Sequence, residues 1–122
     1  MTARSVRGTY KIAMPVVCVE TGKVIGGQTK VEVAGEVLCD GVFGVQSNGP
    51  YFNLTHIPTG KRVGGWFETP GRAKRCARAL YRLPVDWHFK TNAERDKIRR
   101  GPHMASIKET VKAWQMRQEV IE

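Results

Sequence analysis

Cysteine is scarce. Cys18, Cys39 and Cys76 are odd in number and widely spaced, which excludes a disulfide framework, and no CxxC offers zinc a hairpin to sit in. They are expected to be reduced, buried thiols. Long apolar runs are missing: none approaches the roughly 18 to 20 residues of a membrane-spanning helix, and Met1 to Gly8 lacks the apolar centre of a signal peptide. The expected compartment is the cytoplasm, with no membrane partner. Acidic residues number eleven and fall mostly on expected exposed faces, which argues against a paired-carboxylate acid/base site.

Other chemistry is absent by spacing. His56, His88 and His103 lie on three different elements without an HxxxH or HExxH pattern, so a metal has no ligand set. A phosphate-binding Walker loop needs Ser or Thr after its Gly-Lys, whereas Lys23 and Lys61 precede Val24 and Arg62. Cys76 and His88 can be paired on paper as nucleophile and base. A cysteine between Arg75 and Ala77 on the apolar side of a helix is instead expected to pack as a small core residue. No cofactor is expected, and the chain reads as a binding protein rather than an enzyme.

What is present is a repeated turn. Thr21-Gly22-Lys23-Val24-Ile25-Gly26-Gly27 and Thr59-Gly60-Lys61-Arg62-Val63-Gly64-Gly65 each follow an apolar, strand-like run. Each Thr-Gly-Lys supplies the positive φ that a chain reversal needs, and each Gly-Gly suggests a bulge or the close approach of another backbone or a ligand. Around them, Thr9 to Glu20 reads as a strand interrupted by Pro15, and Lys30-Val31-Glu32-Val33 as a half-buried strand. Glu36 to Cys39 and Val42 to Ser47 read as short strands. Asn48-Gly49-Pro50 turns the chain into Tyr51 to Ile57, and Pro58 to Lys61 turns it into Arg62 to Phe67.

The period then changes. Thr69-Pro70 starts a helix running to Leu83, with Ala73, Cys76, Ala77 and Leu80 on one face and Arg72, Lys74, Arg75, Arg78 and Arg82 around the others. Thr91-Asn92-Ala93-Glu94 caps a short charged helix to Arg100, and Gly101-Pro102 breaks the chain. The run Gly101 to Ser106 is similar to a cloning-linker scar, but no protease site precedes it and the tail is read as native. Met104, Ile107, Val111, Trp114 and Ile121 form a seam, with Gln118 at its one polar position, that predicts an amphipathic helix over Met104 to Glu122. Such a helix docks on its own sheet or pairs with a partner, a second copy of the chain included. The expected class is thus α+β: residues 1–100 form one domain, a hairpin-built antiparallel sheet (strands within 9–67) followed by a basic helix (69–83) and a short helix (91–100). Residues 101–122 form a C-terminal amphipathic helix. At 122 residues, 41% of them hydrophobic, the chain can bury one modest core.

The net charge of +9 is concentrated. Residues 68–100 hold ten basic and four acidic side chains, against seven and four in 1–67 and three of each in 101–122. A focused positive potential attracts phosphate backbones or acidic protein patches. Strand alternation adds a second surface: with Phe52, Leu54, Val63 and Phe67 in the core and Val45 beside them, Gln46, Tyr51, Asn53, Thr55, Arg62 and Trp66 share the opposite face. These side chains can hydrogen-bond or stack on bases, while Arg72, Lys74, Arg75 and Arg78 can neutralise phosphate.

The run Gly41 to Leu54, then Gly60-Lys61-Arg62-Val63-Gly64-Gly65-Trp66-Phe67-Glu68-Thr69 and the Ala-rich helix, resembles the AP2/ERF and integrase arm-type DNA-binding domains. Its Gly65-Trp66-Phe67-Glu68-Thr69, followed by Ala73 and Ala77, is similar to that family's turn from strand into helix. The resemblance implies a three-stranded sheet laid on one helix and inserted into the DNA major groove, with Tyr51, Asn53, Arg62 and Trp66 toward the groove. Leu54 to Trp87 also resembles small proteins of phages and mobile elements. DNA binding is therefore the leading expectation. The rival is a small phage-type protein that docks on an acidic host protein, through the basic helix or the seam of Met104, Ile107, Val111 and Trp114.

Overall fold

Alternating side chains punctuated by glycine-bearing reversals fold into an antiparallel meander. The computed structural model describes residues 5–17 and 24–115, and within them it contains β1 (Val6–Val17), β2 (Val24–Leu38), β3 (Phe43–Asn48), β4 (Tyr51–His56), β5 (Lys61–Arg62), α1 (Pro70–Tyr81), α2 (Asn92–Arg99) and α3 (Met104–Trp114). The five strands pair in sequence order, and the α+β class is as the sequence predicts. The turn of the first repeat, Thr21 to Lys23, lies outside the described residues. In the second, Gly60 takes a φ of +73° and Gly64 one of +67°. Pro15 sits where the β1–β2 register shifts, as befits a residue that cannot donate to a ladder.

Two strand expectations change. Glu36 to Cys39 is not a separate strand: Glu36 to Leu38 form the end of a 15-residue β2, because pairing with β1 runs unbroken from Lys30 to Val37. Arg62 to Phe67 shrinks to the two residues of β5, since Gly64 turns the chain away. Phe67 then returns as a single bridge to Phe52. The sheet as a whole is curled. The Ala13 amide donates to the Gly60 carbonyl at 2.8 Å, joining the first strand to the turn before the last. A Cβ on Gly60 would lie 3.0 Å from that Ala13 nitrogen.

One face of β3 and β4 carries the helices. Phe43, Val45 and Leu54 point to it and are buried with Leu38, Phe67 and the Ala73, Cys76, Ala77 and Leu80 stripe of α1. Burying Leu80 alone contributes roughly 2 kcal/mol. The Thr69 hydroxyl accepts from the Arg72 amide at 3.1 Å, and Pro70 occupies the first helical position, where its missing N–H costs nothing. In α2 the Thr91 hydroxyl accepts from the Glu94 amide at 3.2 Å and donates to the Glu94 carboxylate at 2.9 Å, the predicted cap. α3 ends at Gln115 in extended backbone; Gln118 and Ile121 lie outside the described residues. Its seam packs on α1 rather than the sheet, with Ile107 and Val111 buried and Met104 and Trp114 half-buried against the same core.

Candidate nucleic-acid interface

The register fixes what shares the other face of the sheet. Gly44 pairs with Thr55, Gln46 with Asn53 and Asn48 with Tyr51, while Arg62 pairs with Thr55. Tyr51 and Trp66 stack with ring centroids 5.4 Å apart and planes 29° apart, so Trp66 lies on this face too. Gln46, Tyr51, Asn53, Thr55, Arg62 and Trp66 are therefore assembled together, as strand alternation predicts. Val6, Val31 and Trp66 are the large hydrophobic side chains exposed among the described residues. Pairing of Val6 with Val37 and of Val31 with Ile12 puts both valines on this same face.

Thr55 is the exception to the expected exposure. Curling of the sheet brings β1 over it, and Thr55 retains only 2% of its surface, too little to meet a ligand. The filler is Tyr10, itself 5% exposed, whose ring stands where Gly44 and Gly35 leave room. A Cβ on Gly44 would lie 2.5 Å from that ring. Burial pushes the Tyr10 phenol up to about 12, so it stays protonated. The face thus has a closed end under Tyr10 and an open end at Gln46, Asn53, Tyr51 and Trp66.

At the open end two amide oxygens are unusual. Gln46 Oε1 and Asn53 Oδ1, on directly paired residues, are buried without a hydrogen-bond partner. An unpaired buried acceptor costs roughly 1 to 3 kcal/mol, and native structures carry few of them. The two side chains lie side by side, next to the stacked aromatic pair.

The basic helix behaves differently from expectation. Arg72 Nε donates to the Trp114 carbonyl at 3.1 Å and Nη2 to the Ala113 carbonyl at 3.3 Å. Its guanidinium also lies 5.8 Å from the Trp114 ring centroid. Arg72 therefore closes the C-terminus of α3, where carbonyls lack helical partners. Lys74 Nζ is 2.6 Å from Glu36 Oε2, and that ammonium holds the Glu36 carboxyl below its usual range. Arg75 is exposed and Arg78 half-buried. All four lie on the helical side of the sheet, away from Trp66, so the two predicted clusters are not one surface. The seam residues Met104, Ile107, Val111 and Trp114 are turned into the chain's own core, which leaves that side of α3 little apolar surface for a partner or a second copy.

A cluster that sequence reasoning missed lies at the β5 end. Lys61, Arg62, Arg95 and Arg99 line a cavity of about 180 Å³, bringing β5 and α2 together. Arg95 and Arg99 stand one helical turn apart, a spacing that could have flagged them. His56 forms part of the wall and is 3% exposed. Its Nε2 is 2.6 Å from the Trp87 carbonyl, which can only accept, so Nε2 carries the proton. Nδ1, 2.8 Å from Thr59 Oγ1, then accepts from that hydroxyl. Burial lowers the His56 pKa and keeps the ring neutral.

Cys39 and Cys76 are both buried free thiols. Burial pushes Cys76 up to about 12 and Cys39 to about 11, so neither supplies thiolate at neutral pH. Cys18 lies outside the described residues. Among the described residues no three His, Cys, Asp or Glu side chains gather to hold a metal, and no helix is long and apolar enough to cross a membrane. Comparisons with protein-family models, curated proteins and solved structures find no match to the chain.

Proposed function

We propose that this chain binds nucleic acid through the open end of its sheet, with Trp66 and Tyr51 stacking on bases and Gln46 and Asn53 reading their edges. The observation that carries the reading is the exposed Trp66 stacked on Tyr51 beside the amide side chains of Gln46 and Asn53. Amide side chains can hydrogen-bond base edges, and aromatic faces stack on any base. Arg62, exposed at the edge strand, would meet the phosphate or sugar. The curl favours a single strand, whose unstacked bases can enter a concave face, over a duplex groove, which an open sheet fits better. The charge of +9 would draw the polyanion in from a distance.

The test is fluorescence anisotropy with labelled single-stranded DNA, duplex DNA and RNA at two salt concentrations. Single strands are expected to bind most tightly, with the logarithm of affinity falling by about 0.7 per phosphate contact for each decade of salt. Trp66→Ala should weaken binding by roughly 5- to 100-fold, the range of one lost base stack. Arg75→Ala, on the far side of the sheet, should change it by no more than about twofold. Salt-insensitive binding, or loss with Arg75→Ala and not with Trp66→Ala, would refute the assignment.

A further inference from the structure

The cavity between β5 and α2 has its own chemistry. Its volume is about 180 Å³, and an apolar protein cavity of about 150 Å³ accepts a benzene ring. The room therefore suits one six-membered ring with a small substituent. Trp87, Phe89, Ile98 and Ile107 supply apolar wall, a lining for a ring rather than for a bare inorganic ion. His56 stacks on Phe89 with centroids 4.2 Å apart. Both its nitrogens are engaged, which makes it a wall and not a ligating group.

The charge around that wall is of one sign. Lys61, Arg62, Arg95 and Arg99 line the cavity, and no Asp or Glu does among the described residues. Arg95 Nε is buried with no hydrogen-bond partner, and Nη2 of the same guanidinium reaches only its neighbour Asp96, at 3.5 Å. A buried guanidinium N–H without an acceptor is costly, and a carboxylate or phosphate is the group that guanidinium geometry matches. We infer that this cavity binds a small aromatic acid: one planar ring seated against Trp87 and Ile98, with its anionic group on Arg95 and Arg99. Arg62 borders both this cavity and the sheet face bearing Trp66, but the anion is placed on Arg95 and Arg99, and the site does not depend on nucleic-acid binding at Trp66.

Amide and side-chain NMR of the full chain tests it, following the Trp87 indole N–H and the Arg95 Nε–H. The probes are benzoate, phenyl phosphate, benzyl alcohol and inorganic phosphate. Both ring acids should saturate and shift both signals, while the neutral ring and the ringless anion bind at least about tenfold more weakly, the worth of a charge-assisted hydrogen bond or of a buried ring. Tighter binding of phenyl phosphate would point to an aryl phosphate monoester as the source, and tighter binding of benzoate to a free carboxylic acid. Arg95→Gln should cost about tenfold for either acid. Ile98→Phe should fill the cavity and abolish binding, with Met104→Phe as the alternative filler where the first variant loses folded-state NMR dispersion. Benzyl alcohol binding as well as benzoate, a filled cavity that binds like the wild type, or no saturation by either acid would overturn the assignment.

Discussion

His56 ties acid stability to a single buried ring. Its neutral form donates to the Trp87 carbonyl at 2.6 Å, accepts from Thr59 and stacks on Phe89. Protonation would place a charge among Phe43, Trp87 and Phe89, where burial disfavours it; the Trp87 carbonyl partly offsets that effect and His88 adds to it. A histidine whose folded pKa lies below its unfolded value leaves stability unchanged above about pH 6.5. Stability then falls with acidification, because the unfolded chain takes up the proton first. The slope is at most about 1.4 kcal/mol per pH unit, until the folded ring titrates as well. Between pH 7.5 and 5.5 the loss is therefore up to about 1.4 kcal/mol, or roughly 4 to 8 °C in Tm for a domain of this size. The assay is thermal unfolding followed by circular dichroism from pH 7.5 to 5.5 at fixed ionic strength. His56→Phe keeps the ring stack but strands the Trp87 carbonyl, so it should be less stable at pH 7.5 by roughly 1 to 3 kcal/mol and yet flat across the same window. Glu36 does not confuse the result, because a carboxyl with a lowered pKa loses its contribution only as pH falls below its unfolded value of 4.5. An undiminished acid slope in His56→Phe would refute the reasoning.

Three further outcomes are expected. Arg72→Gln removes two hydrogen bonds from the α3 terminus and should cost roughly 1 to 2 kcal/mol, given their partial exposure; hydrogen exchange should show faster opening at 110–115, while Arg75→Gln leaves Tm within about 2 °C. Gly44→Ala forces a Cβ to 2.5 Å from the Tyr10 ring and should cost roughly 1 to 3 kcal/mol by urea unfolding, with part of the loss restored by adding Tyr10→Leu. Gly64→Ala meets both a φ of +67° and Val111 Cγ1 at 2.5 Å; it should cost roughly 2 kcal/mol or more, seen as reduced Tm with α3 amides losing exchange protection.

The class, the meander and the helix caps were legible because each rests on local chemistry. Thr69 and Thr91 announce their helices, Gly49 and Gly60 their turns, and period-2 alternation from Gln46 to Thr55 sorts the two sheet faces correctly. What the sequence hides is non-local. Nothing in Lys11 to Ala13 says that this strand will meet Gly60, so the curl that buries Thr55 is invisible, as is the fit of Tyr10 over Gly44. Arg72 and Lys74 read as free surface charge because their partners, Trp114 and Glu36, are 42 and 38 positions away. The Gly64-Gly65 pair reads as the approach of a backbone or a ligand, whereas the side chains of Val111 in α3 and Gln115 at its end make it.

These distant pairings also decide which charges remain for a ligand. The helix carrying the densest run of arginine has its apolar stripe on one face of the sheet, and the stacked Tyr51 and Trp66 occupy the other. One nucleic-acid strand cannot lie on both. Because Arg72 and Lys74 hold α3 and β2 in place, the basic helix contributes more to binding the fold together than its composition suggests. Arg62 alone of the predicted basic residues touches both remaining features: it shares the sheet face through its pairing with Thr55 and lines the cavity with Arg95 and Arg99. A strand crossing the open end of the sheet would therefore leave past Arg62 toward α2. On that path phosphate binding should depend on Arg62 rather than on Arg75.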